Sequence, residues 1–81
     1  MAKIVVADDD AAVRSFVSRA LEMRGHDVTA VENGEEALGL LCDRDWDLLI
    51  TDVMMPGMDG ISLSVEALGR HPHLRIIVIT R

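Results

Sequence analysis

The chain has 81 residues, of which 49% are hydrophobic and 27% are charged, which fits one small globular domain and excludes an intrinsically disordered chain. Fourteen acidic residues outnumber eight basic ones, and the net charge of −6 repels the phosphates of nucleic acids and of anionic membranes. A basic protein partner or a cation fits this charge better.

The sequence contains one cysteine, Cys42, which excludes an internal disulfide, and its amino terminus lacks the apolar core of a signal peptide. No apolar run approaches the roughly 18 residues of a membrane span. We therefore expect a cytoplasmic protein. Because Cys42 lies within an apolar helical pattern, we expect its side chain to be buried as a small hydrophobe.

The first predicted element is a buried strand. Residues 4–7 form an unbroken apolar run that ends in Asp8, Asp9 and Asp10. Asp10 is expected to act only as the cap of a following helix, which Gly25 stops. The predicted apolar face of this helix, read from its helical spacing, consists of Val13, Phe16, Val17, Ala20 and Leu21.

A short strand and a second helix follow. Residues 26–31 alternate weakly between polar and apolar, which predicts a strand near one edge of the sheet. Asn33 precedes the acidic pair Glu35 and Glu36, a pattern typical of a capped helix start. We expect this helix to end near Asp43. Its apolar residues are Ala37, Leu38, Leu40 and Leu41.

The third strand gives the clearest signal in the chain. Residues 48–52 are an apolar run that ends abruptly in Asp52 and is followed by turn-forming residues up to Gly60. A third helix comes next, and residues 74–80 form a fourth strand that ends in Thr80. The apolar residues that support the third helix are Ile61, Leu63, Val65 and Leu68.

This alternation of strands and helices with short connections predicts an α/β domain with a parallel sheet, helices on its faces and right-handed crossovers. Ligands bind to such sheets at the carboxyl ends of the strands. We therefore expect Asp8, Asp9 and Asp52 to converge at one edge, with Thr80 beside them.

Three carboxylates at one edge repel one another, and a divalent cation relieves that repulsion. Hard oxygen ligands favour Mg²⁺, and the sequence offers no cluster of cysteine and histidine for zinc. An aspartate beside Mg²⁺ can attack a phosphoryl group and form an acyl phosphate. The Thr80 hydroxyl could then hydrogen-bond a phosphate oxygen.

These residues resemble a known family, the receiver domains of two-component response regulators. The resemblance covers the entire chain and rests on three motifs: IVVADDD, LLITDVMMPGMDG and IIVIT. It implies that Asp52 accepts a phosphoryl group from the phosphohistidine of a sensor histidine kinase or phosphotransfer protein. It also implies Mg²⁺ held by Asp8, Asp9, Asp52 and the backbone carbonyl of Met54, with Thr80 as the switch hydroxyl.

The fold implied by the resemblance is the flavodoxin-like, three-layer parallel sheet with strand order 2-1-3-4. Family members continue through another helix, a fifth strand carrying a lysine, and a final helix. We therefore expect residues 1–81 to be the N-terminal portion of a receiver domain that lacks the usual fifth strand and last two helices. The segment HPHLRIIVIT also resembles stand-alone single-domain receivers.

Two functions follow as hypotheses. The first is a phosphoacceptor that catalyses its own phosphorylation and dephosphorylation, without conventional enzymatic turnover, and that switches its binding to a downstream protein. The alternative is a catalytically impaired receiver fragment that acts as a docking or dimerising module, by exchanging segments or pairing sheet edges in a homodimer. Neither hypothesis includes direct contact with nucleic acid or with a membrane.

Overall fold

The computed structural model describes residues 1–80, and over this range strands and helices alternate in the predicted order. The elements are β1 (Lys3–Ala7), α1 (Ala11–Glu22), β2 (Asp27–Val31), α2 (Gly34–Asp43), β3 (Leu48–Asp52), α3 (Gly60–Arg70) and β4 (Arg75–Ile79). Across residues 1–80, no helix is long and apolar enough to cross a membrane.

The strands form a parallel sheet in the order β2-β1-β3-β4. The predicted α/β fold class and strand order are therefore confirmed, and β2 lies at an edge as expected. The register sets Ala7 of β1 opposite Thr51 of β3, and Asp52 opposite Ile79 of β4. The ends of β1, β3 and β4 consequently meet at the same edge of the sheet.

Each helix begins at this edge with a side-chain cap. The Asp10 carboxylate accepts a hydrogen bond from the Ala12 N–H at 2.9 Å, and Asn33 Oδ1 accepts one from the Glu36 N–H at 2.8 Å. Asp59 caps α3 in the same way. The backbone N–H of Ser62, which donates to this carboxylate, lowers the pKa of Asp59 below its usual value.

Helices cover the two faces of the sheet unequally. Between the sheet and the helices α2 and α3 lies the larger core cluster, whose fully buried members include Val5, Leu41, Leu49 and Leu63. On the opposite face Ile4, Val6 and Ile50 form a smaller cluster, with Val17 and Leu21 of α1 packed against it. The α2 and α3 side therefore provides most of the apolar burial.

The predicted apolar face of α1 was only partly right. Val17 and Leu21 are half-buried, but the Phe16 side chain is 74% exposed and Ala20 is exposed. Helix α1 packs mainly on β2 and β1. Phe16 therefore lies outside the part of α1 that packs on the sheet.

In the other two helices, the apolar residues noted in the sequence are only partly buried. In α3 the buried residues are Gly60, Leu63 and Ala67, whereas three of the expected apolar residues are exposed: Ile61, Val65 and Leu68. In α2 the buried positions include Ala37 and Leu41. The prediction of a buried Cys42 was wrong, because this residue is exposed. Successive helical residues point about 100° apart, which places Cys42 off the buried stripe.

Candidate functional site

Three carboxylates meet at the carboxyl edge of the sheet. Asp8 directly follows β1, Asp9 comes next, and Asp52 is the last residue of β3. One oxygen from each carboxylate lies within 4.8 Å of the other two. Asp8 and Asp52 are each only 2% exposed, while Asp9 is exposed. The predicted acidic residues are therefore brought together in a site that opens to solvent on the Asp9 side.

Backbone hydrogen bonds hold the turn after β1. The N–H of Asp8 donates to the Val31 carbonyl of β2 at 3.1 Å, and the N–H of Asp10 donates to Asp8 Oδ1 at 2.9 Å. The Arg14 guanidinium donates to the Asp8 carbonyl at 2.7 Å. Sequence reasoning did not identify Arg14 as part of this turn. Its position one turn after the Asp10 cap was the signal that it could reach back to this turn.

Asp52 is fixed from several directions. Its carbonyl oxygen accepts a hydrogen bond from the buried Thr51 hydroxyl at 3.0 Å, and its Oδ1 accepts one from the Met54 N–H at 3.4 Å. Gly60 packs directly against its backbone, because a Cβ on Gly60 would lie 2.1 Å from the Asp52 carbonyl oxygen. Only glycine at position 60 therefore allows the start of α3 to lie so close to the end of β3.

Thr80 and Met54 lie beside the acidic residues. Thr80 follows Ile79, the β4 residue opposite Asp52, and it is exposed at the same sheet edge. Met54 contacts Asp52 through its backbone N–H, while its side chain is 72% exposed. The structure places both predicted residues next to the site.

Sequence reasoning missed the role of Glu35. This exposed side chain at the start of α2 accepts a hydrogen bond from the Met58 N–H, in the loop between β3 and α3. The sequence shows an acidic pair, Glu35 and Glu36, after Asn33. It does not show which of the two side chains contacts another element. A cavity of about 410 Å³ lies beside this contact. Its lining consists of Asp9, Glu32, Asn33, Glu35, Pro56 and Gly57.

A larger cleft of about 570 Å³ lies away from the acidic edge, between residues 45–47 and 70–75. Residues 45–47 precede β3, and residues 70–75 lead from α3 into β4. The cleft therefore lies at the amino ends of these strands. Its lining includes none of the predicted site residues.

The acidic cluster fits a small, hard cation. Mg²⁺ takes oxygen ligands at about 2.1 Å, so ligands on opposite sides of the ion are about 4.2 Å apart. Small side-chain rotations would bring three oxygens that lie within 4.8 Å into this range. The cluster offers oxygen and no sulfur or imidazole nitrogen, a donor set that favours Mg²⁺ over zinc.

Comparisons with known proteins agree with this geometry. The sequence profile of the response regulator receiver domain matches residues 4–81. The DNA-binding transcriptional regulator NtrC of Salmonella typhimurium is 43% identical over 75 residues, which cover 93% of this chain and 16% of NtrC. The response regulator receiver protein CpdR of Brucella abortus is 42% identical over 80 residues, which cover 99% of this chain and 67% of CpdR. The chain thus spans about a sixth of NtrC and two thirds of CpdR.

Solved structures show the same fold. The response regulator TrrA of Thermotoga maritima, in complex with Mg²⁺ and BeF, superposes with a TM-score of 0.93 at 34% identity. The match covers 99% of this chain and 70% of TrrA. A second structure contains TrrA in complex with the histidine kinase ThkA, and it matches with a TM-score of 0.91 at 34% identity. That match covers 99% of this chain and 69% of the other.

Proposed function

The chain belongs to the response regulator receiver domain family, and from this premise we propose that it is a phosphoacceptor in two-component signalling. Asp52 takes a phosphoryl group from the phosphohistidine of a sensor histidine kinase or a phosphotransfer protein. The observation that carries this proposal is the buried Asp52 carboxylate at a strand end, gathered with Asp8 and Asp9. A kinase partner is supported by the structure in which TrrA is bound to ThkA.

The residues that would hold Mg²⁺ are Asp8, Asp9 and Asp52, with the backbone carbonyl of Met54 as a further ligand. The compact set of oxygens supports this assignment, as does the TrrA structure that contains Mg²⁺ and BeF. When bound, the ion neutralises charge on the oxygens of the transferring phosphoryl group.

In the proposed reaction, one carboxylate oxygen of Asp52 attacks the phosphorus of the donor phosphohistidine. An O–P bond forms as the N–P bond breaks, and the imidazole nitrogen leaves with the electron pair of the broken bond. The Met54 N–H restricts rotation of the Asp52 carboxylate through its hydrogen bond to Oδ1. Holding the carboxylate in a geometry suited to attack before the reaction begins lowers the barrier to phosphoryl transfer.

Thr80 is proposed to report the phosphorylated state. Its exposed position after Ile79 allows the hydroxyl to hydrogen-bond a phosphate on Asp52 and to draw the end of β4 toward it. Ordering of a short segment by a new phosphate contact is a common switching device. We propose that the readout is altered binding to a downstream protein in the cytoplasm.

Phosphoryl uptake by the isolated chain should depend on Mg²⁺. We expect intact-mass spectrometry to show the mass gain of one phosphoryl group after incubation with Mg²⁺ and a small phosphodonor. A sample treated with a metal chelator should show no gain, because the acidic pocket then lacks its counter-charge. Equal uptake with and without chelator would contradict the proposed metal dependence. No uptake by a folded, Mg²⁺-loaded chain would argue against the phosphoacceptor function.

A homodimer is the second candidate, and the outer strand β4 favours it. Among the described residues β4 pairs with β3 on one side, and its Ile77 side chain is 51% exposed. An apolar outer strand can pair with a second copy of itself. We expect light scattering of the 81-residue chain to give twice the monomer mass at high concentration, and a lower mass for Ile77→Lys. A monomer at every concentration would contradict this candidate.

A further inference from the structure

The loop after Asp52 is attached to the start of α2. The Oε2 of Glu35 accepts a hydrogen bond from the Met58 N–H at 3.2 Å. Gly34 lies against the same residue, since a Cβ on Gly34 would be 2.8 Å from the Met58 carbonyl oxygen and 3.0 Å from its Cβ. Glu35 therefore binds the Met58 backbone, and the neighbouring Gly34 lets α2 approach Met58 closely.

The other end of this loop contacts Asp52. The Met54 N–H donates to Asp52 Oδ1 at 3.4 Å, and the Met55 side chain is buried in the core. Gly57 then turns the chain with a φ of 76°, and a Cβ there would lie 2.9 Å from Glu35 Oε2. Residues 54–58 thus run directly from the phosphoacceptor to Glu35, with an anchor in the core between them.

We propose that Glu35 is a positioning residue for the acidic site. By holding Met58, it keeps the loop in the conformation that places the Met54 backbone against Asp52. The effect of Glu35 on metal binding rests on the proposed function, in which the Met54 carbonyl is a Mg²⁺ ligand. Glu35 acts through the loop, in the manner of the outer partners that orient metal ligands.

The negative charge of Glu35 is a competing explanation for any effect of this residue on Mg²⁺ binding. Glu35, Glu32 and Asp9 line the same cavity, so the Glu35 carboxylate would also attract a cation from a distance. Glu35→Gln removes this charge but keeps an oxygen that can accept the Met58 hydrogen bond. Glu35→Ala removes both. Glu32→Ala removes an equal charge from the cavity and leaves the contact between Glu35 and Met58 in place.

The test combines two measurements on the wild-type chain and these three variants, which are expected to fold because both glutamates are exposed. Amide hydrogen exchange, followed by NMR, reports whether the N–H groups of Met54 and Met58 stay protected. Isothermal titration calorimetry gives the Kd for Mg²⁺. For Glu35→Ala we expect a loss of protection at both amides and a Kd about tenfold higher than wild type. Glu35→Gln and Glu32→Ala should keep both protections and bind Mg²⁺ within about threefold of wild type.

Exchange at Met54 decides the proposal. Unchanged Met54 protection in Glu35→Ala would overturn it, as would an equal loss of protection in Glu32→Ala. If the wild-type chain does not bind Mg²⁺, the proposed metal site fails. Exchange at Met54 still decides whether Glu35 positions the loop, so the two failures can be distinguished.

Discussion

Asp52→Asn is expected to reduce phosphoryl uptake below the limit of detection by intact-mass spectrometry. The amide that replaces the carboxylate is a poor nucleophile, and it removes one negative ligand from the acidic cluster. The fold should survive, because asparagine has nearly the same shape and its Oδ1 can still accept the hydrogen bond from the Met54 N–H. A far-UV circular dichroism spectrum that matches wild type would confirm this.

Asp59→Asn is the matched control for that experiment. Asp59 lies in the same loop region and caps α3 through the Ser62 N–H, and asparagine caps helices about as well as aspartate. This variant should take up phosphoryl like wild type. Uptake that persists in Asp52→Asn would show that Asp52 is not the phosphoacceptor. Equal loss of uptake in both variants would contradict the expectation that the effect is specific to Asp52.

The sequence was sufficient to predict where the acidic residues meet. Asp8 and Asp52 lie far apart in the chain, but each ends an apolar run, and the carboxyl ends of parallel strands share one edge. The caps Asp10 and Asn33 were also predictable, because capping depends on a few neighbouring residues. Features set by local chemistry and by strand direction were therefore the ones predicted correctly.

Side-chain environment was harder to predict, because it depends on which part of the sheet each helix covers. Phe16 and Val17 both fit the apolar pattern of α1, yet only Val17 packs on the sheet. The same ambiguity applies to Glu35 and Glu36, which are adjacent acids in one helix turn. Glu35 reaches the Met58 loop, while Glu36 accepts a hydrogen bond from the Glu32 N–H next to its own helix. Helical periodicity cannot distinguish such neighbours before the packing of α2 against α3 is known.

Gly60→Ala is expected to destabilise the chain by at least about 3 kcal/mol, the upper end of the usual cost of overpacking. The new Cβ would lie 2.1 Å from the Asp52 carbonyl oxygen and 2.8 Å from its carbonyl carbon. Both are backbone atoms, so rotation of a side chain cannot relieve the clash, and either α3 or the end of β3 must move. Urea denaturation measures the loss of unfolding free energy.

Gly69→Ala in the same helix is the control. No atom of the described neighbours lies within 4 Å of the position that its Cβ would take, so alanine should stabilise α3 by up to about 1 kcal/mol through helix propensity. A similar effect of both substitutions would mean that α3 can shift away from Asp52 at little cost. A loss of stability in Gly60→Ala but not in Gly69→Ala would instead show that the close approach of α3 fixes the backbone of Asp52. In that case any folded Gly60→Ala protein should also take up phosphoryl more slowly, because its Asp52 has been displaced from Asp8 and Asp9.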